Sequence, residues 1–253
     1  MCFAGRIRVL FNSIEFLAFF TFIASAYFVL PYRLRWALLL AGSYYFYMSW
    51  RAEYGLLLLA CTLLNYMCGL LIFNSESKLQ KRIFLIISVA GSLGLLFMFK
   101  YAGFANETIR SLLRFFGTPY NAPYLNILLP VGISFFTFQA LSYTIDVYRG
   151  QTKAERHFGI FALYISFFPQ LVAGPIERST NLLHQFYEKH KWESERVISG
   201  LKYIAWGLFK KIVIADRLAI YVDSVFNNVH QYHGFTLVLA TYLFAFQIYC
   251  DFS

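Results

Sequence analysis

The chain has 253 residues, 59% of them hydrophobic and only 14% charged, with a net charge of +9. An ordinary soluble domain carries about 45–50% apolar and about 25% charged residues, which disfavours a soluble globule, a disordered chain and a disulfide-stapled secreted domain. On so apolar a chain the positive charge belongs to cytoplasmic loops and acidic lipid headgroups, and no nucleic-acid partner is expected.

A membrane-spanning helix needs about 20 mainly apolar residues, with a range of roughly 17–25. Residues 14–30 are apolar apart from Glu15 and run into Pro31, Arg33 and Arg35 without a small-residue cleavage site, so they read as a span and not as a cleaved signal. Residues 36–50 are short and end in Tyr44, Tyr45, Phe46, Tyr47 and Trp50, the composition of an interfacial belt. Residues 54–73 and 83–99 carry no charge. From Phe104 to Phe116, Ile109, Leu112 and Leu113 recur at helical spacing with Arg110 and Arg114 on another face. That pattern fits an amphipathic helix, either lying in the interface or packed on the protein's own surface.

Residues 125–148 form a long segment containing Pro130, Gly132 and Asp146, and residues 158–176 an apolar one containing Pro169, Gly174 and Pro175. Residues 184–195 are polar and read as a solvent loop. Residues 197–215 are interrupted by Lys202, Lys210 and Lys211, and residues 234–250 form the last clear span. About eight segments are therefore membrane-associated, five or six of them plain spans. No internal repeat is present, and residues 1–253 read as one transmembrane domain. Val9 offers an alternative start that would leave residues 1–8 untranslated. With that start, Lys and Arg in the flanks divide four against eight, which puts the N-terminus outside and the loop 78–82 inside.

Three clusters place polar groups where hydrocarbon makes them expensive. The first, at 129–149, holds Ser134, Gln139, Ser142 and Asp146. It reads either as the wall of a polar cavity or as helix packing with interhelical hydrogen bonds. In the second, at 167–178, Gln170, Gly174 and Pro175 lie where two prolines and a glycine break any regular helix. Non-helical backbone at membrane depth survives only when buried in protein or lining a wet cavity, so a re-entrant segment is expected; an ordinary loop is the alternative. The third, at 207–218, holds Lys210, Lys211 and Asp216. Its lysines either snorkel to headgroups or meet an anionic group of a substrate.

The four cysteines (Cys2, Cys61, Cys68, Cys250) lack paired spacing, so neither disulfides nor a zinc site is expected. The five histidines (His157, His184, His190, His230, His233) fall in loops or edges and read as surface residues without a role. Nucleophile-elbow, phosphate-loop and dinucleotide motifs are missing. A transporter or channel subunit would show paired broken helices in two repeated halves, and neither LPVGISFF nor FPQLVAGP occurs twice.

The stretches LFNSIEF at 10–16, LPVGISFFTFQALSYTIDVYRG at 129–150, FFPQLVAGPIERS at 167–179, GLFKKIVIADRLA at 207–219 and FQIYCDFS at 246–253 resemble the membrane-bound O-acyltransferase family, in its branch that acetylates alginate and related polysaccharides. The resemblance covers nearly the whole chain from Leu10. It implies an all-α polytopic membrane protein of the bacterial cytoplasmic (inner) membrane, a helical bundle with re-entrant and interfacial helices around a tunnel. Acetyl would pass from a cytoplasmic donor, acetyl-CoA, toward an extracytoplasmic polysaccharide through periplasmic acetylation proteins, with no bound cofactor or metal. Candidates for the tunnel wall are Ser134, Gln139, Asp146, Gln170, Gly174, Pro175, Lys211, Asp216 and Asp251. Alternatives within the family are D-alanyl transfer to teichoic acid and peptidoglycan O-acetylation.

The family's essential histidine, the general base that would deprotonate the acceptor hydroxyl, lies downstream of the FQIYCDFS motif and so beyond Ser253, the last residue of the chain. None of the five histidines here occupies its place, so no residue takes the catalytic role. The chain reads as an N-terminal fragment, incomplete at the C-terminus, and is expected to be inactive alone.

Overall fold

A computed structural model describes residues 13–117, 129–171, 174 and 176–252, and all regular structure among them is helical. Residues 1–12, which carry the start-site question, lie outside the described residues, as does Pro175. Ser253, beyond which the resemblance puts the family's histidine, also lies outside them. The helices are α1 (Ile14–Val29), α2 (Tyr32–Met48), α3 (Ala52–Asn74), α4 (Lys78–Lys100), α5 (Ala102–Phe115), α6 (Ile133–Tyr148), α7 (Phe158–Ser166), α8 (Phe168–Leu171), α9 (Ser179–Leu182), α10 (Ser194–Phe209), α11 (Asp216–Phe226) and α12 (Phe235–Phe252). A 3-10 turn, Leu183–Tyr187, follows α9. A π-helical turn, Lys210–Ala215, joins α10 to α11.

The chain is an all-helical polytopic membrane protein. Of the described helices, α3, α4 and α12 are long and apolar enough to cross a bilayer. Five or six plain spans are expected from the sequence, but α1, α2 and α6 have 16, 17 and 16 residues and rise only about 24–26 Å at 1.5 Å per residue. The described helices fall into two compact units, one of residues 22–189 and the other of residues 190–252 with 13–21.

In the first unit α3 is the central helix. Its buried positions Gly55, Leu58, Cys61, Thr62, Asn65, Cys68, Gly69 and Ile72 recur at three- and four-residue spacing, so one stripe meets α4, α6 and α7. Small residues let these helices approach closely. A Cβ on Gly69 would lie 2.8 Å from Tyr143 Cε1 of α6, and one on Gly91 of α4 would lie 2.5 Å from Leu64 Cδ2. Cys61 and Cys68 are buried in this stripe, as small hydrophobes are.

The middle of the stripe is polar. Asn65 Nδ2 donates to Ser92 Oγ of α4 at 2.9 Å, while its Oδ1 accepts from Ser88 Oγ of α4 at 2.7 Å and from Thr144 Oγ1 of α6 at 3.0 Å. Each of these side chains is completely buried. One carboxamide thus ties three helices together.

The aromatic run 44–50 is not an interfacial belt. Phe46 and Tyr47 are buried and pack against Phe168 of α8 and Phe136 of α6 at ring separations of 6.1 and 6.2 Å; of the five aromatics only Tyr45 is largely exposed. The turn of α2 that follows Ser43 carries these rings inward, because burying an aromatic face in protein satisfies it as well as a headgroup layer does.

α5 fulfils the amphipathic expectation. Phe104, Ile109, Leu112 and Phe115 are exposed on one face, and Asn106 is its one buried residue. Between α6 and α7 the connection is fixed by tyrosines. Glu155 Oε1 accepts from Tyr187 Oη at 2.7 Å and from the His157 N–H at 2.8 Å, while the Glu155 N–H donates to Tyr143 Oη. Partial burial and the Glu155 carboxylate that it faces both push the Tyr187 phenol above its ordinary range. His157 has a role after all: its Nδ1 accepts from the Ile160 N–H at 3.2 Å and caps α7.

In the second unit, α10 continues through the π-helical turn into α11. The segment expected to end near Ala215 instead runs to Phe226, since neither proline nor glycine follows to stop it. The wider i→i+5 turn absorbs the change of register.

Candidate functional site

The start of α6 requires a glycine. Gly132 precedes it with φ 77°, a left-handed conformation costly for a residue with a Cβ. From there α6 presents Thr137, Gln139, Ala140, Tyr143, Thr144 and Asp146 to the protein interior.

α7 has nine residues and rises about 14 Å, roughly half the hydrocarbon core. It stops at Phe167, where ψ of 110° leaves the helical region. In an unbroken helix the Phe168 N–H would donate to the Tyr164 carbonyl. Here both groups are released, and both find side chains. Tyr164 O accepts from Gln139 Nε2 at 2.7 Å and from Gln170 Nε2 at 3.4 Å, while the Phe168 N–H donates to Ser43 Oγ of α2 at 3.2 Å. Tyr164 Oη then reaches past the break to the Glu177 carbonyl at 2.9 Å.

Pro169 sits inside the single turn of α8, where a missing N–H costs little. Beyond it the Gly174 N–H donates to the Gln170 carbonyl at 2.9 Å. A Cβ on Gly174 would lie 2.4 Å from Gln170 Cα. The break expected from two prolines and a glycine is therefore present, and the Tyr164 and Phe168 backbone groups that it releases are satisfied by side chains.

Of the candidates in this unit, Gln139, Gln170 and Gly174 come together around the break. Ser134, half-buried in the first turn of α6, and Asp146, buried near its end, are not joined to them by a described hydrogen bond. Ser43 and Tyr164 complete the arrangement without standing out in the sequence. A serine in the middle of the apolar run 36–50 is the available signal for Ser43.

The other candidates converge within the second unit. Lys211 Nζ lies 2.8 Å from Asp216 Oδ1 and 2.7 Å from Asp251 Oδ1. Lys211 thus finds its counter-charges within the chain, in two carboxylates. The π-helical turn brings Lys211 and Asp216 onto one side, and α12 supplies Asp251. All three side chains keep contact with solvent, so each pair contributes at most about 1 kcal/mol. Lys211→Met is expected to lower the melting temperature by a few degrees, and adding Asp251→Asn should recover part of the loss by relieving carboxylate repulsion. Thermal melts in detergent measure both; an unchanged melting temperature for Lys211→Met would refute the tie.

Among the described residues no three His, Cys, Asp or Glu side chains are grouped to hold a metal ion. The break holds neutral amides and hydroxyls. These can orient a polar ligand and exclude lipid, but they offer no base.

No family model matches the chain. It is 36% identical over 250 residues to the probable alginate O-acetylase of Azotobacter vinelandii, an alignment covering 97% of this chain and 49% of that protein. The probable alginate O-acetylase of Pseudomonas aeruginosa is 37% identical over 232 residues, covering 90% and 43%. The peptidoglycan O-acetyltransferase of Helicobacter pylori is 31% identical over 242 residues, covering 85% and 45%. The chain spans about half the length of the curated relatives it matches.

Proposed function

We infer function from kinship: this chain is a homologue of the bacterial O-acetylases, related to them over about half their length, as its resemblance to the membrane-bound O-acyltransferases implies. We propose that it forms part of an O-acetyltransferase of the bacterial cytoplasmic membrane that moves acetyl from acetyl-CoA toward an extracytoplasmic polysaccharide such as alginate. Periplasmic acetylation proteins are the partners in this reading. The observation that carries it is the identity of 36% across nearly the whole chain to a protein of that name.

The broken helix supports the reading. Gln139, Gln170 and Gly174 hold non-helical backbone in a fixed shape, and with Ser134, Asp146 and Pro175 they are our candidates for the wall of an acyl passage. Lys211, Asp216 and Asp251 fix the second unit's helices in that scheme. Peptidoglycan is the second acceptor considered, because one relative bears that name.

Deleting the coding sequence from its host tests the proposal. Acetate released by mild alkali from the exopolysaccharide is expected to fall, with muropeptide acetylation unchanged. A fall only in muropeptides would transfer the function to peptidoglycan. Unchanged acetate in both would overturn acetyl transfer.

A further inference from the structure

α4 ends at Lys100, and Tyr101 turns the chain into α5. Between the end of the apolar helix and the start of the amphipathic one lies a groove of about 400 Å³, within the size range of ligand sites. Phe97, Tyr101, Phe104, Ala105, Thr108 and Ile109 wall it. Lys100 Nζ stands 5.4 Å from the centroid of the Tyr101 ring, so a cation borders one of the rings that wall this apolar cleft.

The rest of α5 repeats this division. Phe104, Ile109, Leu112 and Phe115 are exposed apolar residues. Arg110 and Arg114, one turn apart, lie on the opposite side with Glu107, leaving an excess of basic charge with Lys100. An apolar cleft stabilises hydrocarbon, and a cation at its rim stabilises an anion. One molecule carries both and is present wherever α4 spans a bilayer: an acidic phospholipid.

We propose that the α4–α5 elbow is a binding site for an acidic phospholipid, with an acyl chain in the groove and the phosphate against Lys100. The basic side of α5 then lies at headgroup level. This assignment does not depend on acetyl transfer.

The test uses the purified chain in detergent, offered equimolar phosphatidylglycerol and phosphatidylcholine, with retained lipid counted by native mass spectrometry. Phosphatidylglycerol is expected to be retained about fivefold or more over phosphatidylcholine, and the preference should weaken as salt is raised. Lys100→Gln with Arg114→Gln should bring the ratio near one. Thr108→Trp, which fills the groove, should lower retention of both lipids. Lys81→Gln with Arg82→Gln, at the other end of α4, should leave the ratio unchanged. Equal retention of the two lipids by the unaltered chain would overturn the site without recourse to any variant. So would a loss as large from the Lys81 and Arg82 substitutions, which would mean diffuse attraction to basic surface.

Discussion

Gly174→Ala is expected to destabilise the protein by about 3 kcal/mol, the upper end of what forced overpacking costs, lowering the melting temperature by roughly 6–12 °C. The added Cβ would sit 2.4 Å from Gln170 Cα and 2.6 Å from Gln170 Cβ. A Cα cannot rotate away as a side-chain tip can, so the backbone must shift. The shift would strain the turn that Gly174 closes onto the Gln170 carbonyl and loosen the hold of Gln170 on Tyr164. Gly94→Ala is the control: nothing lies within 4 Å of its Cβ position in α4, so the helix should gain up to about 1 kcal/mol. Equal melting temperatures for the two variants would show that the turn yields freely.

Asn65→Leu is the second large effect. It removes the bonds to Ser88, Ser92 and Thr144 from a completely buried site. Interhelical bonds of this kind contribute about 0.6 kcal/mol each on average and up to about 1.7, so the three together are worth about 2–3 kcal/mol. A melting temperature lower by roughly 4–12 °C is expected. Ser88→Ala should cost less in the Asn65→Leu background than alone, because its acceptor has already gone; melts of the four proteins give the coupling. If Asn65 instead faced lipid, leucine would stabilise, and a raised melting temperature would decide for that.

Much of the architecture is legible in the linear pattern. Long uncharged runs mark α3, α4 and α12, the 3.6-residue recurrence of Ile109, Leu112 and Leu113 marks α5, and Pro169 with Gly174 marks the break after α7. These features are local, since apolar length and a missing N–H act within one turn or one segment. The aromatic run 44–50 misleads because an aromatic suits an interface and a core equally well. His157 does not show itself as a cap because capping depends on where a helix begins, which drifts by a residue or two in any reading of sequence.

The candidate site divides in the same way. Intramembrane cost marks Gln139, Gln170, Lys211 and Asp216 as residues needing a reason, whereas Asp251 enters only through the resemblance of the stretches around these residues to the membrane-bound O-acyltransferases. Their partners are not legible. Nothing in the sequence says that Gln139 replaces the hydrogen bond lost at Tyr164, that Ser43 takes the Phe168 N–H, or that Asp251 answers Lys211 across 40 residues. By itself the sequence determined a helical membrane protein with a broken segment, because hydropathy and proline act through the nearby chain. Only the tertiary structure decided how the break is satisfied and which charges neutralise each other, because a hydrogen bond or ion pair requires atoms within about 3 Å, and only the packing of separate helices brings them there.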